Sequence, residues 1–333
     1  MSTLGVLRLD AAPARRVAAV SRGALDRSLA HDGELVIATL GDEAVVLGAL
    51  QRACELGAAD DGTLPLLRRG SCGAEAVVGT GTLWMQLALE RSDALVRCEP
   101  SRLLNRYVRP LLRALTKVGA LAHYFDRDWS SAGRRPVAMI AFAHDVGSGR
   151  ALVEALIAVR TPFALRERAS YLGKAPATLV DVGASVELAR LGDAVAEAYG
   201  AAYGREIVEM ADFTADGEDA MSTHADPRAD PAWTSTREEA IGIVAAGRDR
   251  DGIMRVGGEL MVSRDAVTRL ESRLARREER SGSAKAAVDA TAIGADVDAT
   301  LGAPDVALVG VRSLTSLRDV LVEASNRSAR GPQ

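Results

Sequence analysis

The sequence predicts an α+β protein in which a mixed β-sheet is flanked by helices and followed by a small C-terminal α+β accessory domain. Short apolar runs rich in β-branched residues fill much of the first half and are separated by glycines, a pattern typical of strands. Two longer stretches, 101–119 and 185–204, place apolar residues at helical spacing instead. The 333 residues are 48% apolar, which is enough for one large core or two modest ones.

The strand pattern begins with "ELVIATL" (34–40) and "EAVVLGAL" (43–50), which are separated by a Gly-Asp turn and predict a β-hairpin. "TLPLLRR" and "AEAVVGTGTLWMQLALE" continue the series of strands. Further along, "PVAMIAFAHD" and "ALVEALIAVRTPFAL" predict two strands joined by the turn "DVGSGR", although propensity alone also permits a helix for the second run. Together these runs predict one sheet.

Two helices accompany the predicted sheet. Residues 101–119 carry apolar side chains every three or four positions, with Ser101 as the expected N-cap and Gly119 as the stop. Pro110 lies inside this stretch, so we expect it to kink or divide the helix. An amphipathic pattern over 185–204 predicts the helix that closes the first domain.

A change of composition marks the domain boundary. Residues 213–232 are acidic, contain two prolines and have few large apolar side chains, so they predict a flexible linker. We therefore expect domains at 1–212 and 233–333. Within the second domain, strands over 242–262, a helix at 264–280 capped by Ser263 and a final helix at 314–325 are predicted. The stretch 281–292 resembles a disordered segment, and the tail is expected to be partly disordered.

Charge and cysteine content exclude several classes of protein. The chain has 41 basic and 45 acidic residues, which gives no electrostatic footprint for nucleic acid or an anionic membrane. Its three cysteines fit neither a disulfide framework nor a zinc motif, and the histidines have no metal-ligating spacing. No window is apolar enough to span a bilayer. The expectation is a cytoplasmic protein without a metal site, a membrane or a nucleic-acid partner.

The stretch "RRGSCGAEAV" follows a predicted strand and resembles a motif of the lipoate-protein ligases, within the superfamily of biotin and lipoate ligase catalytic domains. In that family two arginines precede a Ser/Thr-Gly-Gly loop that ends in Ala-Val. The matching residues here are Arg68, Arg69, Ser71, Gly73, Ala76 and Val77, and Cys72 replaces the first glycine. Glycines in such a loop let backbone N–H groups approach a phosphate, and Arg69 is placed to neutralise it.

A second stretch, "RDWSSAGRRPVA", resembles the family motif Asn-Asp-Leu-x-x-x-Gly-x-Lys-Ile-x-Gly. Asp128 and Gly133 match, whereas Trp129 replaces the leucine. Arg135 replaces the lysine that contacts the acyl-adenylate, and Pro136 follows it. A third stretch, "GGELMVSRDAVTRLESRL", is similar to a turn and helix of the family's accessory domain, with Glu259-Leu260 in place of an acid and an aromatic residue.

The resemblance implies a chemistry and a set of site residues. ATP, with Mg²⁺, and the carboxylate of lipoate or a related acyl group form an acyl-adenylate, and a lysine of a lipoyl-carrier domain then attacks it. Arg135 takes the position of the catalytic lysine. The implied substrate-binding residues are Arg68, Arg69, Ser71, Cys72, Gly73, Gly81, Asp128, Trp129 and Gly133.

Three functions stay open at this point. The chain is an active ligase, a non-catalytic pseudoenzyme that binds an acylated carrier domain or a partner ligase, or an ATP-independent octanoyl or lipoyl transferase that uses Cys72. Activity is in question because arginine does not place its donors where lysine does, because Pro136 lacks an N–H, and because the family's histidine after the glycine motif has no counterpart.

Simpler interpretations stand beside these functional ones. Arg68 and Arg69 also fit a solvated strand end followed by an ordinary turn. Cys72 fits a small buried thiol, since the sequence shows no base beside it. His144 fits a solvent-facing residue at a strand end. Trp84 and Trp129 fit either the wall of an apolar pocket or core packing.

Overall fold

The computed structural model describes residues 3–211, 226–281 and 289–330. In this part of the chain the strands are β1 (Thr3–Ala12), β2 (Gly33–Leu40), β3 (Ala44–Leu47), β4 (Leu66–Arg68), β5 (Ala76–Val78), β6 (Thr82–Leu89), β7 (Ala122–Tyr124), β8 (Trp129–Ala132), β9 (Arg135–His144), β10 (Ala151–Ala158), β11 (Glu206–Glu209), β12 (Ser235–Glu239), β13 (Gly242–Arg248), β14 (Met254–Gly258), β15 (Met261–Val262) and β16 (Leu308–Val309). The α-helices are α1 (Ala14–Gly23), α2 (Leu103–Lys117), α3 (Leu188–Tyr203), α4 (Arg264–Ser281), α5 (Ala290–Leu301) and α6 (Leu314–Arg330).

An eight-stranded mixed sheet forms the centre of the molecule, in the order β11-β1-β2-β6-β10-β9-β8-β7. Its strands are antiparallel except for β1, which runs parallel to both β2 and β11. The apolar sides of α2 and α3 pack on one face. Helix α1 and a small sheet of β4, β3 and β5 cover the other face. The predicted α+β fold class is confirmed.

The predicted hairpin between 34–40 and 43–50 is wrong. Both runs form strands, but β2 pairs with β1 and β6, whereas β3 pairs with β4 and β5 in the small sheet. The residues expected to form the tight turn bind the N-terminal segment instead. Gly41 N donates to Ala12 O, and Asp42 Oδ1 accepts from Ala14 N at the start of α1. The chain therefore crosses from one sheet to the other at this point.

The two predicted helices of the first domain are confirmed, with changes at the start of α2. Ser101 lies in a 3-10 turn (Pro100–Arg102), and Arg102 occupies the N-cap without a side-chain cap bond. Helix α2 is not divided at Pro110, which is buried within it. The predicted strands β9 and β10 are also confirmed and pair antiparallel across the turn at 145–150.

The C-terminal region has its own apolar core, formed between the sheet β12-β13-β14 and helices α4, α5 and α6. Its predicted strands and helices are present. Residues 290–292, which resembled a disordered segment, form the first turn of α5, where Asp289 Oδ1 accepts from Ala292 N. Most of the predicted linker, and the end of the predicted disordered tail, lie outside the described residues. Within the described ranges, no helix has the length and apolar character needed to cross a membrane.

Candidate functional site

Residues 69–73, which we call the arginine loop, follow β4. The side chain of the first residue, Arg69, binds the loop that it begins. Arg69 is fully buried, so the interpretation of this residue as part of a solvated strand end is wrong. Its Nε donates to Ser71 Oγ at 2.8 Å, and Nη2 donates to the carbonyls of Cys72 at 3.0 Å and Ala74 at 2.7 Å. The guanidinium therefore holds the loop in shape from inside.

The backbone N–H groups of this loop also bind protein atoms. Residues 70, 71, 72 and 73 donate, in order, to Ser21 Oγ at 2.7 Å, Glu154 Oε2 at 3.2 Å, Phe142 O at 2.8 Å and Leu260 O at 2.9 Å. The last acceptor belongs to the C-terminal region. These four donors, which the resemblance assigns to a ligand phosphate, are thus occupied by α1, the central sheet and the accessory domain.

Cys72 is a fully buried thiol. Its Sγ donates to Val262 O at 3.5 Å, and burial raises the pKa of the thiol. A cysteine nucleophile needs a lowered pKa and access to its substrate. The interpretation of Cys72 as a small buried residue is confirmed.

Arg135 begins β9 and is turned toward a neighbouring loop. Its Nε donates to Ala175 O at 3.1 Å, and its Nη2 donates to Pro176 O at 2.8 Å. Gly133, at φ +54°, forms the turn that leads into β9 and lies against Val182. Among the described residues, no hydrogen bond or ion pair joins Arg135 to residues 68–81.

Gly81 and Trp129 make no hydrogen bond to the arginine loop among the described residues, whereas Trp84 shares Glu154 with it. Gly81 N donates to Thr161 Oγ1, and its carbonyl accepts from the backbone of residues 159–161. Trp84 and Trp129 are both core residues. Trp84 Nε1 donates to Glu154 Oε1 at 2.8 Å, and Trp129 Nε1 donates to Ser170 O at 3.0 Å.

His144 does not face solvent, contrary to expectation. Its ring is buried, and Nδ1 lies 2.8 Å from Ser263 Oγ, at the start of α4. Burial lowers the pKa of this histidine. The expectation failed because the C-terminal region covers the end of β9, a contact that no local pattern encodes.

Asp128 belongs to a buried charge network that we call the interface cluster, formed by Glu75, Asp128, Arg166, Arg168 and Glu259. Arg168 pairs with Asp128 at 2.7 Å and with Glu259 at 2.9 Å. Arg166 pairs with Glu75 at 2.7 Å and with Glu259 at 2.6 Å. Glu259 lies between β14 and β15, so the cluster ties the accessory domain to the large domain.

Three carboxylates share two guanidinium groups in the interface cluster. The pKa values of its two glutamates shift in opposite directions. Burial raises the pKa of Glu75, but the bond from Arg166 and the charge of Arg168 outweigh it and lower this pKa to about 2. At Glu259 burial prevails over the charge of Arg168 and raises the pKa. Of these two glutamates, Glu259 is therefore the one that protonates more readily.

Several polar atoms beside the interface cluster have no partner. Asp128 Oδ1, Ser130 Oγ, Arg168 Nε and Ser170 Oγ are buried without a hydrogen bond within the described ranges. A cavity of about 330 Å³ is lined in part by Arg166, Arg168, Ser170 and Glu259, and so includes two of these four residues. Buried polar groups need partners, so this place fits waters or the polar part of a small ligand.

Most residues of the interface cluster were not predicted from the sequence as site residues. Arg166 and Arg168 follow the predicted strand 151–165. Their alternation with Glu167 and Ala169 was the sequence feature from which a shared orientation of the two arginines could have been predicted. Glu259 was identified only as a substitute in the accessory-domain turn. Among the residues that the structure describes, no group of three His, Cys, Asp or Glu side chains is arranged to hold a metal ion.

Sequence comparison gives no relatives. No protein-family model matches the chain, and no curated protein matches it. The fold, in contrast, is found in solved structures.

Three of these structures illustrate the likeness. LipL1 of P. falciparum in complex with lipoate has a TM-score of 0.57 at 10% identity, covering 81% of this chain and 88% of LipL1. The bipartite lipoate protein ligase of Thermoplasma acidophilum, described with its E2 lipoyl domain, scores 0.52 at 14% identity, covering 67% and 91%. Lipoate-protein ligase A bound with ATP scores 0.52 at 15% identity, covering 66% and 92%. The chain therefore has the fold of the lipoate-protein ligases.

Proposed function

We propose that this chain is a lipoate-ligase-like protein that serves protein lipoylation by binding a lipoyl-carrier domain, without forming an acyl-adenylate itself. One observation carries the proposal: all four N–H groups of residues 70–73 already donate to protein acceptors. This corresponds to the non-catalytic alternative among the three functions raised by the sequence.

An acyl-adenylate site needs free donors for a phosphate and a cation at the reacting carboxylate. In this chain the backbone donors of the arginine loop are bound to protein acceptors. The guanidinium of Arg69 donates to Ser71 Oγ and to the carbonyls of Cys72 and Ala74. Arg135 binds two carbonyls of the 175–176 segment. Neither element that the resemblance assigns to catalysis is therefore available to a ligand in this conformation.

The edge of the central sheet supports a protein partner. Strand β7 is the last strand of the sheet in the described ranges, so within them one side of its backbone has no neighbouring strand. Leu121 and Phe125 flank β7 and expose 64% and 60% of their surface. An unpaired strand edge beside exposed apolar side chains is suited to docking another protein.

The solved structures support the chemical class of the partner. One is a complex with lipoate, one is bound with ATP, and one is described together with its E2 lipoyl domain. We extend the carrier domain to this chain as its expected partner, in the cytoplasm. ATP, Mg²⁺ and lipoate are needed only by the second candidate function.

The second candidate is a ligase that binds its acyl ligand at the interface cluster. The unpartnered atoms of Arg168 and Ser170, two residues that line the 330 Å³ cavity, favour it. Use of the arginine loop by such a ligase would require Leu260 O to release Gly73 N. We rank it second because the loop donors and Arg135 are engaged elsewhere.

Calorimetric titration with a lipoyl-carrier domain tests the proposal. We expect binding of the carrier domain and a loss of roughly tenfold or more in affinity for Phe125→Ser, since an aromatic anchor that a partner buries contributes about 2 kcal/mol or more. The unlipoylated domain is titrated in parallel, and a difference in affinity between the two forms shows that the protein contacts the lipoyl group. If neither the lipoylated nor the unlipoylated carrier domain binds the folded protein, the proposal is contradicted.

A further inference from the structure

A second tie between the two regions of the chain lies at residues 50–55, in the segment that follows β3. Arg52 is buried there, and its Nη1 donates to Pro231 O at 2.9 Å and to Arg248 O at 3.3 Å. Its guanidinium also stacks on Trp233, 3.7 Å from the ring centroid. One buried arginine of the large domain therefore binds the C-terminal region both before β12 and at the end of β13.

The carboxyl group of Glu55 completes this tie from inside. Glu55 is 9% exposed, and its Oε1 accepts from Trp233 Nε1 at 2.6 Å and from Arg52 N at 2.8 Å. Close by, Gly258 N in β14 donates to Leu50 O at 3.0 Å. We call Arg52, Glu55 and Trp233 the latch, because together they join the segment after β3 to the C-terminal region.

The surroundings of Glu55 favour its neutral form. Burial raises the pKa of Glu55 to about 7 against its two N–H donors, and the charges of Glu259 and Glu75 add to the rise. Gln51 Nε2 lies between the latch and the interface cluster, 3.4 Å from Glu55 Oε2 and 2.8 Å from Glu75 Oε2. The ionisable groups that face the latch are Arg52 and Cys54 on its own segment, Arg68 and Glu75 on the large domain, and Asp230, Asp249, Glu259 and Glu271 on the C-terminal region.

We propose that the latch is a pH-sensitive contact, which holds the C-terminal region on the large domain while Glu55 is protonated and releases it when Glu55 ionises. A buried carboxylate without a paired cation is unfavourable, and separation of the two regions returns it to water. The closed form binds the proton of Glu55 more tightly than the open form does, so a rising pH favours opening. The inference does not depend on the proposed function, since it uses neither a carrier domain nor the edge of β7.

Hydrogen exchange of the intact protein at about pH 4.5 and about pH 8 tests the latch at the amide of Gly258, which binds Leu50 across the two regions. At about pH 8 this amide should exchange up to roughly a few hundredfold faster in the unmodified protein than in Glu55→Gln, because Glu55 returns from a pKa of about 7 to its ordinary 4.5 on opening. At about pH 4.5 the two rates should differ little. Glu99→Gln is the matched control, since Glu99 is an exposed glutamate outside the latch, and it should exchange like the unmodified protein.

Trp233→Phe gives a second measurement, because it removes the N–H donor to Glu55 and keeps an aromatic ring against Arg52. Loss of this donor should move the midpoint of opening to higher pH. A rise in exchange that is equal at every pH would instead reduce Trp233 to a packing role and overturn the proposal. The proposal is also overturned if Glu55→Gln and the unmodified protein exchange alike at about pH 8, or if the Gly258 amide exchanges no faster than those of β10, which would mean that the regions separate only when the whole chain unfolds.

Discussion

The side chain of Arg69 shows how one residue can keep a motif while changing its use. The guanidinium is buried with Glu154, whose Oε2 lies 3.9 Å from Arg69 Nε. This arginine stood out in the sequence, because two arginines before a small-residue loop are unusual next to a buried strand. The sequence does not show whether the N–H donors of Arg69 point at a ligand or at the loop itself, since the same residues are compatible with both arrangements.

Arg69→Met should destabilise the fold by about 3–5 kcal/mol, because it leaves the buried Glu154 without its cation and the loop carbonyls without a donor. Urea unfolding measures the change. Arg91→Met is the matched control, since Arg91 is 70% exposed and its ion pair with Asp93 contributes little. A loss below about 1 kcal/mol for Arg69→Met would show that the guanidinium does not hold the loop.

Glu55 gives a pH dependence that can be measured. Burial raises its pKa to about 7 against the bonds from Arg52 N and Trp233 Nε1. The folded chain keeps this proton up to about pH 7, whereas the unfolded chain releases it near 4.5. The folded state therefore binds more protons between these values, and the contribution of Glu55 to stability falls as the pH rises through this window.

Glu55→Gln removes this dependence. We expect the variant to gain up to roughly 3 kcal/mol over the unmodified protein at about pH 8, and to differ little at about pH 4.5, where Glu55 is already neutral. Urea unfolding at the two pH values gives the comparison. An equal difference at both values would show that Glu55 titrates normally in the folded protein.

At the scale of elements, the sequence predicted most strands and helices but not their partners. Strands β2 and β3 look alike in sequence, since both are short, apolar and buried. Which sheet each joins depends on β1 and α1, which lie at the N-terminus and for which the sequence analysis had no prediction. Pairings across long sequence separations are set by the whole core and leave no local pattern.

Gly70 tests how closely the arginine loop packs on α1. A Cβ at this position would overlap the backbone carbonyl of Ser21. We expect Gly70→Ala to cost about 1–3 kcal/mol in urea unfolding, because the helix and the loop must separate.

Gly294→Ala is the control for this substitution. Gly294 lies inside α5, and its added Cβ would meet Arg318 at an ordinary 3.5 Å. Alanine is favoured over glycine there by about 0.5–1 kcal/mol. If Gly70→Ala proved as harmless as the control, the tight packing of loop and helix would be wrong.

At the scale of the whole molecule, the interface cluster sets how the accessory domain sits on the large domain. Glu259 binds Arg166 and Arg168, and its own Oε2 accepts from Ile243 N. Asp128 was predicted from the sequence as a site residue, but its partner Arg168, 40 residues further along the chain, was not. Glu259, which binds the same arginine, comes from the accessory domain. Candidate residues were thus predicted singly, and the network that joins them was not.

Glu259→Ala should loosen the interface, because it removes one of the two carboxylate partners of the buried Arg168 and of the half-buried Arg166. We expect a loss of about 3–5 kcal/mol and faster cleavage between the domains in limited proteolysis. Glu323→Ala is the control, since Glu323 and Arg327 form a surface pair on α6. Equal proteolysis rates for the two variants would argue against a domain tie at Glu259.

The central claim is that the arginine loop is engaged by the protein and does not bind an acyl-adenylate. Calorimetric titration of the intact chain with a stable lipoyl-adenylate mimic tests it most directly. The account predicts no binding of the mimic by a protein that still binds a lipoyl-carrier domain. Tight binding of the mimic that Arg69→Met abolishes would contradict the account and identify a working ligase pocket.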